Sequence, residues 1–498
     1  MAYSRVAIIL GDHLFPNHSA LNLGENTLVF MAEDYDLCTH FKYHKHKIIL
    51  FLSAMRNHAQ GLADTNKLVY HQLEEAKTIS YEDKLANTLA QYPNISELVS
   101  YQIEDHFFAE RITGFCNKKG LRYTEVESPS FLTTRQQFAD YLGGVKKPFM
   151  ATFYQRQRRR LDMLIDPNGA PLHGKWSFDE DNRKKLPKTI DIPNQPVFQD
   201  NEQVEAVKKL VDTLFSDHPG KTNDFWLATT REQALHCLDK FLRERFERFG
   251  PYEDAFEADQ VWLFHSVLSP YINMGLLTAG EVVEQAISFA KENNVHYPSV
   301  EGFVRQIIGW REFIRGMYHH YEPDMRKNVL GHERKLTAAW YDGTTGVAPL
   351  DDVIKRVDKY GYAHHIERLM VIGNMMLLAE IDPEEVNRWF MELFVDSADW
   401  VMVPNVFGMS QFSGGGIFAT KPYICGANYW SKMSRYSKKS DWVDIVDGLY
   451  WRFIDRKREL FLSNPRMSMM VRLLNKMAGE KRERIFDRAE AWLEEFTS

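Results

Sequence analysis

Short apolar runs rich in β-branched residues punctuate the first part of the chain: Val6–Leu10, Thr27–Met31, Lys47–Leu52, Lys67–Tyr70, Glu97–Ser100 and Arg122–Val126. Stretches of helical character lie between them, among them Tyr81–Gln91 and His106–Lys119. Strands alternating with helices predict a parallel α/β sheet of the doubly wound type. The first run is followed by Leu10-Gly11-Asp12-His13 and not by G-x-G-x-x-G, so an ordinary Rossmann dinucleotide site is unsupported. Beyond about Asn201 the strand signal fades. From Glu301 to His320, Phe303, Ile307, Trp310, Ile314 and Met317 recur at spacings of three and four, one apolar stripe of a helix. Asp382-Pro383 reads as an N-cap followed by proline at the first helical position, opening a helix that carries Trp389, Phe390, Leu393 and Phe394. The pattern predicts an α/β domain over residues 1–135, a connector over 136–200 and a large all-α domain over 201–498.

Composition bounds the picture further. At 498 residues the chain exceeds what one core supports. Its 44% hydrophobic and 26% charged residues describe an ordinary globular protein. No apolar run reaches the ~18 residues of a membrane span. The start, Met1-Ala2-Tyr3-Ser4-Arg5, lacks a secretory h-region and cleavage site, so a cytoplasmic protein is expected. The four cysteines, Cys38, Cys116, Cys237 and Cys425, are widely spaced with no C-x-x-C pair, which suits a reducing compartment and ordinary buried thiols.

A net charge of −7 argues against indiscriminate polyanion binding, yet the charge is unevenly spread. Lys146 to Lys188 holds eleven Lys/Arg against five Asp/Glu, including Arg156, Arg158, Arg159, Arg160 and Arg183. This is a phosphate-binding surface or a solvated connector face, and the residues alone weigh the two evenly. Nine of the eleven tryptophans follow position 249, enough to fill a helical core or to flank a redox cofactor. His364 and His365 are adjacent, so on a helix they point about 100° apart and do not form the i, i+4 pair of a metal site.

Asp399 to Tyr429 reads DWVMVPNVFGMSQFSGGGIFATKPYICGANY, and Tyr362 to Met370 reads YAHHIERLM. Leu10-Gly11-Asp12, Phe51–Arg56, Gly174-Lys175-Trp176, Phe249–Ala255, Leu263–Tyr271 and Gly309–Phe313 add to these. In order and number these pieces resemble the bacterial iron–sulfur branch of the photolyase/cryptochrome family, the prokaryotic (6-4) photolyases. The resemblance spans nearly the whole chain and implies light-dependent repair of UV-damaged DNA with FAD, by a monomer without membrane attachment. It departs at the cluster. Where that branch places cysteines, this chain has Pro349, Ser437, Ser440 and Asp444, so no iron–sulfur cluster is expected.

The resemblance also implies roles for single residues. Trp262, Ser266, Leu268, Ser269, Gln306 and Arg311 match positions around the FAD phosphates and ribitol, with Asp396 and Asn405 at the isoalloxazine edge. Taken alone, Ser269-Pro270 is only a helix start. His365, supported by His364, matches the proton donor that a (6-4) adduct requires, because an OH must migrate back between bases. Trp389 and Tyr341 match electron relays, although Phe390 takes a position usually tyrosine and Tyr341 one usually tryptophan. Glu33 and Asp34 match an antenna site for 6,7-dimethyl-8-ribityllumazine. Asp254, Tyr429, Lys432 and Arg435 join the basic connector residues as DNA contacts. Two other readings stay open: a cryptochrome-like photoreceptor of the same fold, and a flavin-free, nucleic-acid-binding helical protein.

Overall fold

The computed structural model describes residues 3–74 and 79–498. Five strands, β1 (Arg5–Ile8), β2 (Thr27–Ala32), β3 (Leu68–His71), β4 (Glu97–Tyr101) and β5 (Arg122–Val126), form one sheet in the order β3-β2-β1-β4-β5. Every pairing is parallel, with Arg5 opposite Thr27 on one side of β1 and opposite Glu97 on the other. Parallel strands need crossover connections, and the covering helices bury both faces. All positions of β2 and β4 are buried accordingly. The chain adds β2 and β3 on one side of β1 before returning to place β4 on the other. The carboxyl ends of β1 and β4 therefore flank a topological switch point, where open α/β sheets bind ligands.

Lys47–Leu52, read from its composition as a strand, lies within a helix, Lys45–Ala63. A short apolar run cannot be assigned by periodicity when every side of it is buried. Here Ile48, Ile49 and Leu52 pack into one core while Leu50, Ala54 and Met55 pack into another. The helix is a shared wall between the sheet and the helical domain, so its amphipathic signature is erased.

The expected connector region contains the helices Arg135–Gly143 and Met150–Arg160, followed by largely irregular chain up to Asn201. Helices dominate thereafter. Asp382 caps Pro383–Leu393 by accepting from the Glu384 amide at 3.0 Å. Three segments widen into π-helical turns: Arg305–Arg311, Glu367–Gly373 and Pro404–Ser410. Such turns are rare and concentrate at functional sites, because the extra residue per turn redirects side chains. Two of these segments pack together where a Cβ on Gly373 would lie 2.3 Å from Ser410 Oγ. No helix among the described residues is long and apolar enough to cross a membrane.

Candidate active site

The three π-helical turns converge on a cavity of about 290 Å³ in the helical domain. Gln306, Ile307, Trp310 and Arg311 reach it from the first turn, Arg368 and Leu369 from the second, Asn405, Met409 and Ser410 from the third. The apolar stripe read from the sequence supplies Phe303, Ile307, Trp310 and Ile314 to its wall. A loop adds Ser266, Val267 and Leu268 to the lining, and the start of the helix Ser269–Met274 adds Ser269. Leu263 and Val267 in that loop adopt φ of 43° and 58°. A β-branched residue in the left-handed region is strained, and strain of this kind gathers at ligand clamps.

Asp396 organises the polar part of the site. It is buried and receives Arg368 at 2.8 and 3.2 Å and the Ser269 hydroxyl at 2.6 Å. Asn405 donates back to the Val401 carbonyl at 2.8 Å. Gln306 donates to Glu253, whose carboxyl burial pushes up to about 7. Arg311 donates one N–H to the Ser130 carbonyl at 2.7 Å and lies over the Phe131 ring. Its Nε and Nη2 have no partner, although both are buried, and burial lowers the guanidinium to about 10. A buried donor left unpaired is costly, so a site with such donors fits an anionic or carbonyl-bearing ligand.

His365 faces this cavity and keeps an open surface there, although protein surrounds it. Burial and the Arg368 cation lower its imidazolium below the ordinary value, and Asp179 opposes them. His364 points away and is buried. Its ring stacks on His265 at 4.4 Å, and its Nε2 lies 3.5 Å from Glu367. Burial first, then His265 and the Arg356 and Arg368 cations, hold His364 well below its ordinary value. Glu367, paired with Arg356, is pushed up to about 7 by burial.

Other expected site residues fall elsewhere. Trp262 is not in the cavity wall; it stands behind Tyr362, which is. Trp389 is fully buried and also outside the wall, donating to the Trp340 carbonyl at 2.9 Å, while Phe390 takes the cavity position. Tyr341 donates to Glu392 at 3.3 Å. The basic cluster divides. Arg156, Arg159 and Arg160 are exposed, but Arg158 is wholly buried and donates to the Met163, Leu164 and Trp176 carbonyls. Its guanidinium braces the chain following the helix and is unavailable to a phosphate. Asp254 lies 3.6 Å from Arg183 and 3.5 Å from the Tyr429 hydroxyl. Lys432 is exposed, and Arg435 is tied to Glu257 and the Pro187 carbonyl.

A second cavity, of about 190 Å³, opens at the carboxyl ends of β1, β2 and β4. Glu33 and Asp34 line it with Asp12 and Asp105. Glu33 is already saturated by Arg56, the Tyr70 hydroxyl and the Leu73 amide, all within 2.8 Å. Asp34 caps the next helix through the Leu37 amide and leaves its Oδ2 buried without a hydrogen bond. Asn273, Asp396 and Trp400 line both cavities and form their common wall.

Residues 7–227 match the family described as deoxyribodipyrimidine photo-lyase-related protein, and 303–445 match the FAD binding domain of DNA photolyase. A (6-4) photolyase of Agrobacterium fabrum is 34% identical over 98% of this chain and 99% of its own. The chain belongs to the photolyase-related family of DNA photolyases. Among solved structures, a bacterial class III photolyase from Agrobacterium tumefaciens aligns with a TM-score of 0.58 at 16% identity, covering 99% of this chain and 98% of that one. A Synechocystis sp. PCC6803 cryptochrome gives the same TM-score at 13% identity, covering 99% of each chain. At those identities the likeness is one of fold. The photolyase match to an FAD-binding domain falls on the segments that carry all three π-helical turns. The largely apolar cavity, with the unpaired Arg311 donors and the Arg368–Asp396 pair, fits a flat aromatic ring joined to charged groups.

Arg368 carries no assigned role in the sequence reading, yet it orients Asp396. Its signal was present: it follows His365 by three residues, the spacing that puts two side chains on one helical face.

Proposed function

We propose that the protein repairs (6-4) pyrimidine photoproducts in UV-damaged DNA under light. The observation that carries this reading is His365, whose ring is open in a cavity wall where the other histidine, His265, is buried. Ser266, Ser269, Gln306, Arg311, Asp396 and Asn405 would hold FAD. When bound and reduced, FAD supplies the light-driven electron that breaks the lesion apart. The Arg368–Asp396 pair fixes one edge of the site, and the apolar wall excludes water from it. His365 delivers a proton to the hydroxyl that must return to its original base. Within the protein alone, burial and Arg368 hold His365 neutral at pH 7. A DNA phosphate brought against the cavity mouth adds negative charge beside it and shifts its pKa upward, which favours the protonated donor. His364, stacked on His265 and beside Glu367, is assigned a positioning role for its neighbour.

The lesion reaches the cavity as a flipped-out dinucleotide, since a buried site cannot act within the duplex. Arg156, Arg159, Arg183, Lys432 and Arg435 are assigned to the flanking phosphates, with Asp254 and Tyr429 at the mouth. The sheet cavity is assigned to the lumazine antenna. We assign no [4Fe–4S] cluster, which normally takes four thiolates. Pro349 is buried at a helix start, Ser437 and Ser440 lie in a turn, and Asp444 pairs with Arg484. Stoichiometric iron and sulfide in anaerobically purified protein would contradict that assignment.

The test is blue illumination of dithionite-reduced, FAD-loaded protein with oligonucleotides carrying a (6-4) lesion, a cyclobutane dimer or no damage. Restoration of the (6-4) substrate is expected. Light-induced flavin chemistry without restoration of either lesion would turn the assignment to a cryptochrome-like photoreceptor. Colourless protein that takes up no flavin would leave the helical nucleic-acid-binding reading.

A further inference from the structure

Two aromatic series reach the cavity wall, one through Phe390 and the other through Tyr362. On one, Phe390 lines the wall, and its ring lies 5.5 Å from Trp389. Trp389 bonds to the Trp340 carbonyl, and the Trp340 and Trp492 rings meet at 5.7 Å. All three indoles are buried. This series begins with phenylalanine, which gives up an electron poorly, and none of its indoles is open to solvent.

The other series forms a small cluster of its own. Tyr362 is buried and lines the cavity. Its ring lies 5.4 Å from Trp262, and Trp262 lies 4.4 Å from Trp226. Tyr360 packs against Trp262 at 5.5 Å. Val261 and Val267 seal the cluster, and Trp226 and Trp262 are both partly open to solvent. The Trp226 indole donates to the Tyr360 carbonyl at 2.9 Å, which fixes the ring. Arg368 lies 5.3 Å from the Tyr362 ring, but Asp396 pairs with it and offsets its cation.

We propose that Tyr362, Trp262 and Trp226 form the route by which electrons from solution reach oxidised FAD under light. This rests on FAD occupying the cavity, as assigned above. One electron leaves the indole of Trp262 across the Tyr362 ring to the photoexcited oxidised flavin. An electron from Trp226 refills Trp262 and leaves an indole radical cation at the surface. The carbonyl of Tyr360 cannot take the indole proton, so the hole remains a cation until an external thiol supplies one electron. The thiol loses a proton and becomes a thiyl radical, two of which couple to a disulfide. Partial exposure of Trp226 is what lets the thiol reach it.

The experiment is flash photolysis of protein loaded with oxidised FAD, with dithiothreitol as donor, reading the indole radical cation and steady-state flavin reduction. Trp262→Phe should lower the yield of long-lived radical by an order of magnitude. Trp226→Phe, at the exposed end, should shorten the radical's lifetime and slow reduction by thiol more than Trp389→Phe does. Flavin absorbance normalises each variant for occupancy, and tryptophan fluorescence quenching by acrylamide reads the exposure of Trp226 in flavin-free protein as well. A radical yield at the parent level in both Trp262→Phe and Trp226→Phe, or a larger loss in Trp389→Phe, would overturn the proposal. Repair by dithionite-reduced parent protein is scored separately: its absence counts against the (6-4) reading and leaves the electron route standing.

Discussion

The two cavities share Asn273, Asp396 and Trp400, yet Glu33 in one and Arg311 in the other are used differently. In the sheet cavity the buried acid Glu33 is consumed by Arg56, Tyr70 and a backbone amide. It holds the fold together and has nothing left to offer a ligand. In the helical cavity Arg311 keeps unpaired donors and His365 keeps an open ring. Polar groups that are fully paired build a site; those left unpaired inside it are the ones that meet a substrate or cofactor. Both cavities mix apolar wall and charge; the sheet cavity keeps Asp34 Oδ2 and the Tyr81 hydroxyl unbonded, and the helical cavity keeps the Arg311 donors and the open His365 ring.

The strongest way to break this contrast is at the shared wall. Arg368→Ala leaves the Asp396 carboxylate buried without its cation, which should destabilise the protein by about 3–5 kcal/mol. FAD retention should fall with it, read by thermal denaturation and flavin absorbance. A variant that keeps both at the parent level would show that the pair organises nothing. Glu33→Gln should act on stability alone. Loss of charge-assisted bonds costs about 1.5–3 kcal/mol, while FAD occupancy stays as in the parent. Loss of FAD in this variant would erase the distinction between the two cavities.

The pH dependence should read one buried group in each cavity with opposite sign, over a background that includes the raised Glu253. In the wall of the helical cavity burial lowers His265 to about 3, and beside it burial lowers His364 well below its ordinary value. A base lowered in the folded state contributes stability above its unfolded value near 6.5, and that stability is lost as pH falls below it. Beside the sheet cavity, burial raises Asp105 well above its ordinary 3.8. An acid raised in the folded state contributes stability at low pH that is lost as pH climbs from about 3.8 toward the folded pKa. Melting curves of His265→Gln should therefore flatten the acid limb, and those of Asp105→Asn the rising-pH limb. The reverse assignment of limbs would mean that other groups control both.

The smallest effect is on DNA. Replacing Arg156 and Arg159 by glutamine should weaken damaged and undamaged duplex alike, and should flatten the salt dependence by about 0.9 per lost phosphate contact. The same change at Arg158 should alter folding instead, since its guanidinium is spent on three carbonyls. An unchanged salt slope after the double replacement would return the exposed arginines to a solvated face.

Much of this was legible in the sequence where one local rule acts alone. The alternation of β2 and β4 with helices, the Asp382 cap and the stripe from Phe303 to Met317 all follow from periodicity and capping. The stripe's meaning was not legible, because apolar spacing looks the same whether the helix faces a core or a cavity. Lys47–Leu52 misled because burial on every side removes the polar face that marks a helix. The π-helical turns left no signal, since a single extra residue per turn leaves the apolar spacing nearly unchanged. Arg158 could not be told from Arg156 and Arg159 in a run of like residues; its burial depends on a chain reversal that only the fold supplies. His365 and Asp396 were visible only through the family resemblance, and Arg368 only through its spacing from His365.

The most direct test of the central claim is the quantum yield of (6-4) repair by His365→Ala, measured beside the parent with FAD occupancy and lesion-DNA affinity. Phosphate contacts supply most of the affinity, so the variant should still bind damaged DNA. Flavin should remain, because the ring belongs to the open side of the cavity. Repair should fall by orders of magnitude, as the injected electron returns before the hydroxyl can migrate without a proton. Repair at the parent yield by flavin-loaded His365→Ala would contradict the account.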